Sequence, residues 1–598
     1  MASWSLLRAL RRFIPQVSRE AARGAGGIGR SYRRGCSNGT GCKPRTSRLE
    51  EVTQCKTNHF DAVIVGGGHN GLVAAAYLAR AGMKPLVLEQ RDVLGGAAVS
   101  EEIVPGYVFS RASYLYSLFH PDIVRDLELE TKYGLTLYPR DPSSFSPLLD
   151  GSGYLLFSRD VRETQRSIAS FSERDALMYP KYEHKLERIM EGLVKPLMER
   201  SPVQLSRMSW SDMRFVARMV LACWKHRSDL PDALQLLLAP AEKVLRQYFE
   251  SEPLLSTLAT DALIGTMTAP SQPGSGYVLL HHVAGESKGV KGAWSYVRGG
   301  MGALSNAIAF SAQAHGATLV TGAAVQEICF DDHSGMALGV RLQDGSEIRT
   351  ERVISNADAK TTFLKLCAGA SASRAGVFSS EFLDRIRALD FRSPVLKINA
   401  ALNAVPEFRA TASSNLNGKE RRATIHLGCS SLEELNHAFH EASTKNAQPS
   451  TWPMIEMTIP SELDDSLAPP GHAVAGLFVQ FAPYDADWDS PGFKEAYCNH
   501  IFSIVDQYAP GFSDSIVGYE ALSPRDLERT FGLHGGNIFH GSMSLDQVYS
   551  FRPVLEASAY TTPAKRLYLC GSSSHPGGGV SGMPGKFCAE RVLAERRM

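Results

Sequence analysis

The hydrophobic pattern is sharpest at residues 60–91. A largely apolar run, Phe60–Val65, enters Gly66-Gly67-Gly68-His69-Asn70-Gly71, then an apolar-faced helical stretch, then a second apolar run ending at Glu89. This order predicts strand, glycine turn, helix and strand, a βαβ unit. Residues 160–250 read mainly as helix, with Leu177, Met178, Tyr182, Leu186, Ile189, Met190 and Leu193 at mixed 3/4 spacing within Ala176–Arg200. Residues 254–290 are looser, broken by Pro and Gly. Arg298-Gly299-Gly300-Met301-Gly302 opens a helix over Ala303–Ala314, which Gly316 ends. Strands ATLVTGAAVQEI, ALGVRLQDGSEI and RVISNAD follow, and Asp344-Gly345 between alternating runs predicts a hairpin. Segments 393–404, 453–459 and 473–483 predict strands of a second sheet, and the polar stretch 405–450 reads as loop-rich surface. A strand at Arg566–Cys570, the loop GSSSHPGGGVSG and a helix from about Pro584 to Arg596 close the chain.

At 598 residues the chain exceeds a single core. The expected fold class is α/β with an α+β second domain: a Rossmann-like dinucleotide-binding domain built from 56–110, 291–370 and 559–598, with a substrate domain threaded between its parts. That second domain has a mostly helical portion at 111–290 and a sheet-containing portion at 371–558. Composition is ordinary for a globular protein, 44% apolar and 21% charged, and the net charge of +1 gives no reason to expect nucleic acid.

The charge is unevenly spread. Residues 1–48 hold ten Arg, one Lys and a single acid, Glu20. Leu6, Leu7, Leu10, Phe13 and Ile14 share a helical face flanked by Arg8, Arg11 and Arg12, the pattern of an organelle transit peptide. Residues 1–55 are therefore expected to be a targeting leader, with a disordered basic arm as the plainer reading. The mitochondrial matrix is the favoured destination and a plastid stays open. No stretch of 18 apolar residues predicts a transmembrane helix. The ten cysteines form no CxxC pair and no short Cys/His cluster, so neither a metal site nor flavin-linked dithiol chemistry is expected.

The glycine turn has a defined task at each position. Gly66 permits the tight turn after Val65, Gly68 lets backbone approach a pyrophosphate, and Gly71 lets helix and strand pack closely. Free N–H groups and the positive end of the helix, with Asn70 in its first turn, then face phosphate. Glu89, 18 residues past Gly71, is placed to accept hydrogen bonds from ribose hydroxyls, with Gln90 beside it. A second nucleotide-binding grammar is missing. The 299–302 glycines read as close helix packing, so one dinucleotide site without a dithiol favours FAD as sole cofactor.

The motifs GGGHNGL, LEQRDVLGGAA, KGAWSYVRGGMGAL, VISNADAKTTF and LYLCGSSSHPGGGVSGMPGK occur in one order over residues 60–598. In that combination the chain resembles the FAD-dependent phytoene desaturase and carotenoid isomerase group, within the larger amine-oxidase-like flavoproteins. The resemblance implies that Gly66, Gly68, Gly71 and Glu89 bind the ADP half of FAD, that Gly95 and Gly96 pass near its phosphates or ribityl chain, and that Val325 lies on the strand approaching adenine. It further implies that Gly571, Gly577, Gly578, Gly579 and Gly582 run against the isoalloxazine, and that the helix begun by Met583 and Pro584 presents its positive end to the ring. Amine oxidases usually place an acid directly after the glycine corresponding to Gly571. Ser572 stands there instead, which moves weight from amines towards C–H substrates.

Hydride transfer to flavin N5 needs mainly positioning and a dry pocket, so no conventional acid or base is required. Three weak catalytic candidates remain: His575, which either touches flavin or substrate or fixes its loop; His540, in the cleft or structural; and Lys586, an electrophile or a solvated charge. His281-His282 reads as core or loop. Met208–Arg227 is a basic, Trp-bracketed apolar helix, read either as packed in the second domain or as a contact with an anionic membrane face. The expected function is a mitochondrial FAD-dependent oxidoreductase acting on an apolar or amine-bearing, mostly lipophilic small molecule, with peripheral inner-membrane contact. The alternative is a flavin-binding regulator acting through mitochondrial protein partners with little turnover.

Overall fold

The computed structural model describes residues 43–50, 59–204, 208–444 and 446–596. Apart from 43–50, the basic segment 1–55 lies outside them. A five-stranded parallel sheet, in the order Thr318–Val320, Pro85–Leu88, Ala62–Val65, Val353–Ser355, Leu567–Leu569, gathers strands from three separated stretches of chain. Ala62–Val65 is buried on both faces, which is why it is apolar without alternation. Ala62 and Ile64 enter one core, shared with helices His69–Arg80, Met301–Ala314 and Met583–Arg596. Val63 and Val65 enter another, under the three-stranded sheet of Val325–Phe330, Ala337–Leu342 and Glu347–Arg349. The latter two strands join across Asp344-Gly345, where Gly345 takes a φ of +87°. A Cβ on Gly302 would stand 2.4 Å from the Ser100 nitrogen, so the 299–302 glycines serve close packing of the helix they open.

The second sheet has seven strands, in the order Ile516–Leu522, Val395–Leu402, Ala473–Gln480, Met454–Thr458, Thr424–Gly428, Ser144–Pro147, Tyr154–Phe157. All its pairs are antiparallel except Thr424–Gly428 with Ser144–Pro147. Residues 405–450 therefore differ from the loop-rich expectation. They supply an internal strand and the helix Leu432–Ser443, whose Leu432, Leu435, Ala438 and Ala442 are buried. Polar residues outnumber these four, and the stripe was hidden by its own solvent face. The predicted helix Ala176–Arg200 runs as Glu173–Ile189, then a π-helical turn Met190–Val194, then Lys195–Met198. Among the described residues no helix is long and apolar enough to cross a membrane.

Candidate cofactor and substrate site

The central strand ends at Val65, and Gly66 turns the chain at a φ of +98°, a conformation that costs glycine little. Within the first helical turn, a Cβ on Gly71 would stand 2.3 Å from the Gly66 carbonyl oxygen, so only hydrogen fits there. A Cβ on Gly68 would stand 2.9 Å from Asn356 Nδ2. The second glycine pair joins the same cradle. The Gly95 N–H donates to the Gly67 carbonyl at 2.9 Å, and a Cβ on Gly96 would lie 3.1 Å from the Gly68 Cα. Glu89, buried just past its strand, accepts from the N–H groups of Gly67 (2.7 Å) and Arg91 (3.0 Å). Burial raises its pKa, and those N–H bonds pull against the rise. Gln90 is exposed. Half-buried Val325 opens the three-stranded sheet, and the chain before it is tied back by an Ala323 N–H bond of 2.8 Å to the Glu89 carbonyl.

The C-terminal glycine loop meets this cradle directly. Asn70 Nδ2 donates to Ser572 Oγ at 3.1 Å, joining residues 502 apart in the chain. A Cβ on Gly571 would stand 2.7 Å from the Asn356 carbonyl oxygen, and one on Gly585 2.2 Å from the Asn70 carbonyl oxygen. The N-terminal turns of His69–Arg80 and Met583–Arg596 therefore pack on each other through glycine. Gly579 and Gly582 take φ of +101° and +72°, and Met583 is buried where the last helix starts.

Four buried polar atoms around these turns lack a hydrogen-bond partner in the protein: His69 Nε2, Asn70 Oδ1, His540 Nδ1 and Ser574 Oγ. Buried polar atoms are rarely left unpaired, so donors and acceptors facing a glycine-walled cradle fit a polar, phosphate-bearing cofactor. Burial holds His69 at about 3, with His540 adding to the effect. It also lowers His540 and takes His575 to about 4. Burial thus favours the neutral form of all three imidazoles.

The positive charge comes from a residue the sequence did not flag. Arg552, 1% exposed, donates through Nε to the Ser572 carbonyl (3.2 Å), through Nη1 to Ser542 (3.2 Å), and through Nη2 to the carbonyls of Phe539 (2.6 Å), Gly541 (3.2 Å) and Ser572 (3.0 Å). No carboxylate forms an ion pair with it among the described residues. Burial pushes its pKa down to about 10, so it stays a cation. Asn356 is a second unflagged residue, donating to the Gly66 carbonyl at 3.2 Å.

The three catalytic candidates separate. His575 Nε2 bonds the Leu197 carbonyl at 2.9 Å, and its ring packs edge-on to Tyr549 at 5.1 Å. His540 is held at a φ of +56°, its carbonyl accepting from Ser573 Oγ at 2.6 Å. Lys586 is turned away from the loop, 3.9 Å from carboxylates of both Asp122 and Asp126, because its helix packs beside the segment carrying those acids.

A cavity of about 600 Å³ is lined by residues of the second sheet and of the helices near it, Tyr182, Met190 and Trp294 standing with charged side chains that include Asp261, Glu456, Arg140, Glu187 and Lys195. His282 also lines it, and His281 approaches the glycine loop, with an added Gly579 Cβ only 3.6 Å from its Nε2. Glu456 accepts from Tyr114 Oη at 3.0 Å, and Arg140 Nη1 donates to Thr424 Oγ1 at 2.7 Å. Burial raises both acids to about 7, Asp261 adding to the rise at Glu456. Close by, Lys397 is 2% exposed, its Nζ 5.1 Å from the Tyr114 ring, and burial takes its pKa down to about 7.

Glu456 carries a pH prediction. The folded chain retains a proton that the unfolded chain releases between about 4.5 and 7. The stability from this group is complete below that window and is lost as pH rises through it. Glu456→Gln, which can still accept from Tyr114, should remove the loss. Urea unfolding at pH 5 and pH 8 should show the native chain losing up to about 3 kcal/mol more than the variant. Equal losses would contradict the buried-acid assignment.

A glycine-built nucleotide cradle, a second glycine loop closing on it and an adjoining cavity define a flavoprotein oxidoreductase, and the chain belongs to the flavin containing amine oxidoreductase family, whose sequence profile matches residues 71–585. It is an FAD-dependent oxidoreductase. The chain is 46% identical over 562 residues to the rat pyridine nucleotide-disulfide oxidoreductase domain-containing protein 2, covering 90% of this chain and 94% of that one. It is 26% identical to the lycopene-forming phytoene desaturase of Pantoea ananas, covering 89% and 98%. A solved putrescine oxidase mutant shares the fold at a TM-score of 0.55 and 15% identity, covering 90% and 99%. The disulfide in the rat protein's name has no counterpart here among the described cysteines. Cys570 and Cys588, nearest the C-terminal loop, are free and buried, and burial holds both thiols above their ordinary pKa, away from the thiolate that exchange requires.

Proposed function

We propose that this chain takes a hydride from an apolar or amine-bearing small molecule inside mitochondria. Bound FAD would supply the two-electron acceptor at N5. Gly66, Gly68, Asn70 and Gly71, with Gly95 and Gly96, would hold its pyrophosphate, and Glu89 would take the ribose hydroxyls. Gly571, Gly579, Gly582 and Met583 would carry the ring edge, with Arg552 fixing the loops beside it. The observation that carries the reading is the cavity, which His282 lines, one residue from the side chain that approaches Gly579. A space closed by bulky side chains would instead have favoured a regulator without turnover. Tyr182, Met190 and Trp294 suit an apolar portion of such a molecule, and the charged side chains that share the lining, among them Asp261, Glu456, Arg140, Glu187 and Lys195, suit polar groups on it. The matrix destination rests on the Arg-rich, acid-poor segment 1–55.

Anaerobic incubation of the purified flavoprotein with fractionated mitochondrial small molecules should bleach its visible absorption with amine-bearing or apolar fractions. A spectrum unmoved by every fraction would overturn the catalytic reading. Residues 1–55 fused to a fluorescent reporter should carry it into mitochondria, and a cytosolic reporter would overturn the location.

A further inference from the structure

The helix Trp210–Lys225 is inverted relative to an ordinary surface helix: only Phe215 is buried, and its apolar stripe faces outward. At 100° per residue, Trp210, Met213, Ala217, Val220, Leu221 and Trp224 fall within one outward arc. Their exposure is large where it matters, 77% at Trp210, 63% at Val220, 67% at Leu221 and 72% at Trp224. Arg214, Arg218 and Lys225 form a parallel row along one flank, and among the described residues none of them has an ion-pair partner. The helix's one acid, Asp212, is bonded to Arg200 at the inner side.

The inner face is firmly seated, so the outward stripe is not a misplaced core. Arg200 stacks on Phe215 at 4.5 Å, and a Cβ on Gly192 would stand 2.7 Å from the His226 ring. Ser209 and Asp212 cap the helix reciprocally. Gly192 lies in the π-helical turn Met190–Val194, and Met190 and Glu191 of that turn line the cavity.

We propose that this stripe docks on an anionic lipid bilayer, lying in the plane of its surface beside the cavity wall. The chemistry favours that occupant. Trp rings at both ends of the stripe, about 21 Å apart along the axis, are the side chains that settle at a membrane–water interface. Unpaired cations beside the stripe match anionic headgroups, and the helix is too short and too charged to span. The proposal stands apart from the flavin chemistry, so either can fail alone.

The test uses the full chain carrying Trp4→Phe, with vesicles of phosphatidylcholine alone or phosphatidylcholine with cardiolipin. The chain should sediment with the anionic vesicles, and lipids brominated in their acyl chains should quench its tryptophan fluorescence. Quenching should fall on adding Trp210→Phe with Trp224→Phe. Arg214→Gln, Arg218→Gln and Lys225→Gln together should weaken binding at least about tenfold. Trp210→Ser, Leu221→Ser and Trp224→Ser together should abolish helix-dependent quenching with FAD content unchanged. Binding and quenching that none of these changes alters, or absence of sedimentation, would overturn the proposal. So would a solution dimer of the parent chain that the triple-serine variant converts to monomer, since a second copy would then be the occupant.

Discussion

Gly71→Ala should yield a chain that purifies without FAD and is less stable by about 3 kcal/mol. The added methyl would stand 2.3 Å from the Gly66 carbonyl oxygen, and neither partner can yield cheaply. Gly66 is fixed by the turn, Gly71 by its helix, and the same helix is gripped on its other side by Gly585 against the Asn70 carbonyl. Moving the helix away to relieve the clash would open the cradle and part Asn70 from Ser572. Gly153→Ala is the matched control, because its Cβ would meet only Leu148 Cδ1 at an ordinary 3.7 Å. Denaturant unfolding and released-flavin measurement on the two variants check the effect. Full flavin content in Gly71→Ala would contradict the placement of the cradle.

Arg552→Met is the second large effect, an expected loss of about 3–5 kcal/mol together with FAD retention. Its guanidinium satisfies carbonyls from Phe539, Gly541, Ser542 and Ser572, and an apolar replacement would leave them buried without donors. It is also the buried cation beside the glycine loop, an added Gly577 Cβ lying 3.5 Å from its Nε. Arg552→Lys separates the two contributions. Lysine keeps the charge but cannot reproduce the planar fork, so stability should remain well below the parent while flavin content recovers towards it. A methionine variant with parental stability and flavin content would show that the loops do not depend on this residue.

How much of this was legible depends on how local the signal is. The strands at 62–65, 85–88, 353–355 and 567–569 are buried on both faces, so apolar runs announce them without any long-range knowledge. The α/β class follows from those runs and the helices between them. The strand Thr424–Gly428 was hidden because it is short and sits in a polar neighbourhood, its place set by pairing with Met454–Thr458 and Ser144–Pro147. Arg552 carried no signal because its partners are backbone carbonyls, which every residue has. Asn70 was legible as part of a glycine turn, yet its bond to Ser572 joins opposite ends of the chain. Lys586 looked available because nothing nearby in sequence predicted Asp122 and Asp126 beside it. The helix Trp210–Lys225 shows the converse. Its amphipathic pattern is plain in sequence, but pattern alone does not say whether the apolar stripe faces in or out.

The central claim is that the two glycine segments, around residues 66–71 and 571–582, together hold one FAD. Flavin stoichiometry on the purified full chain, with the released flavin identified after denaturation, tests it most directly. One FAD per chain, lost in Gly71→Ala and retained in Gly153→Ala, is the expected result. A folded chain that carries no flavin and takes up none when FAD is supplied would contradict the account.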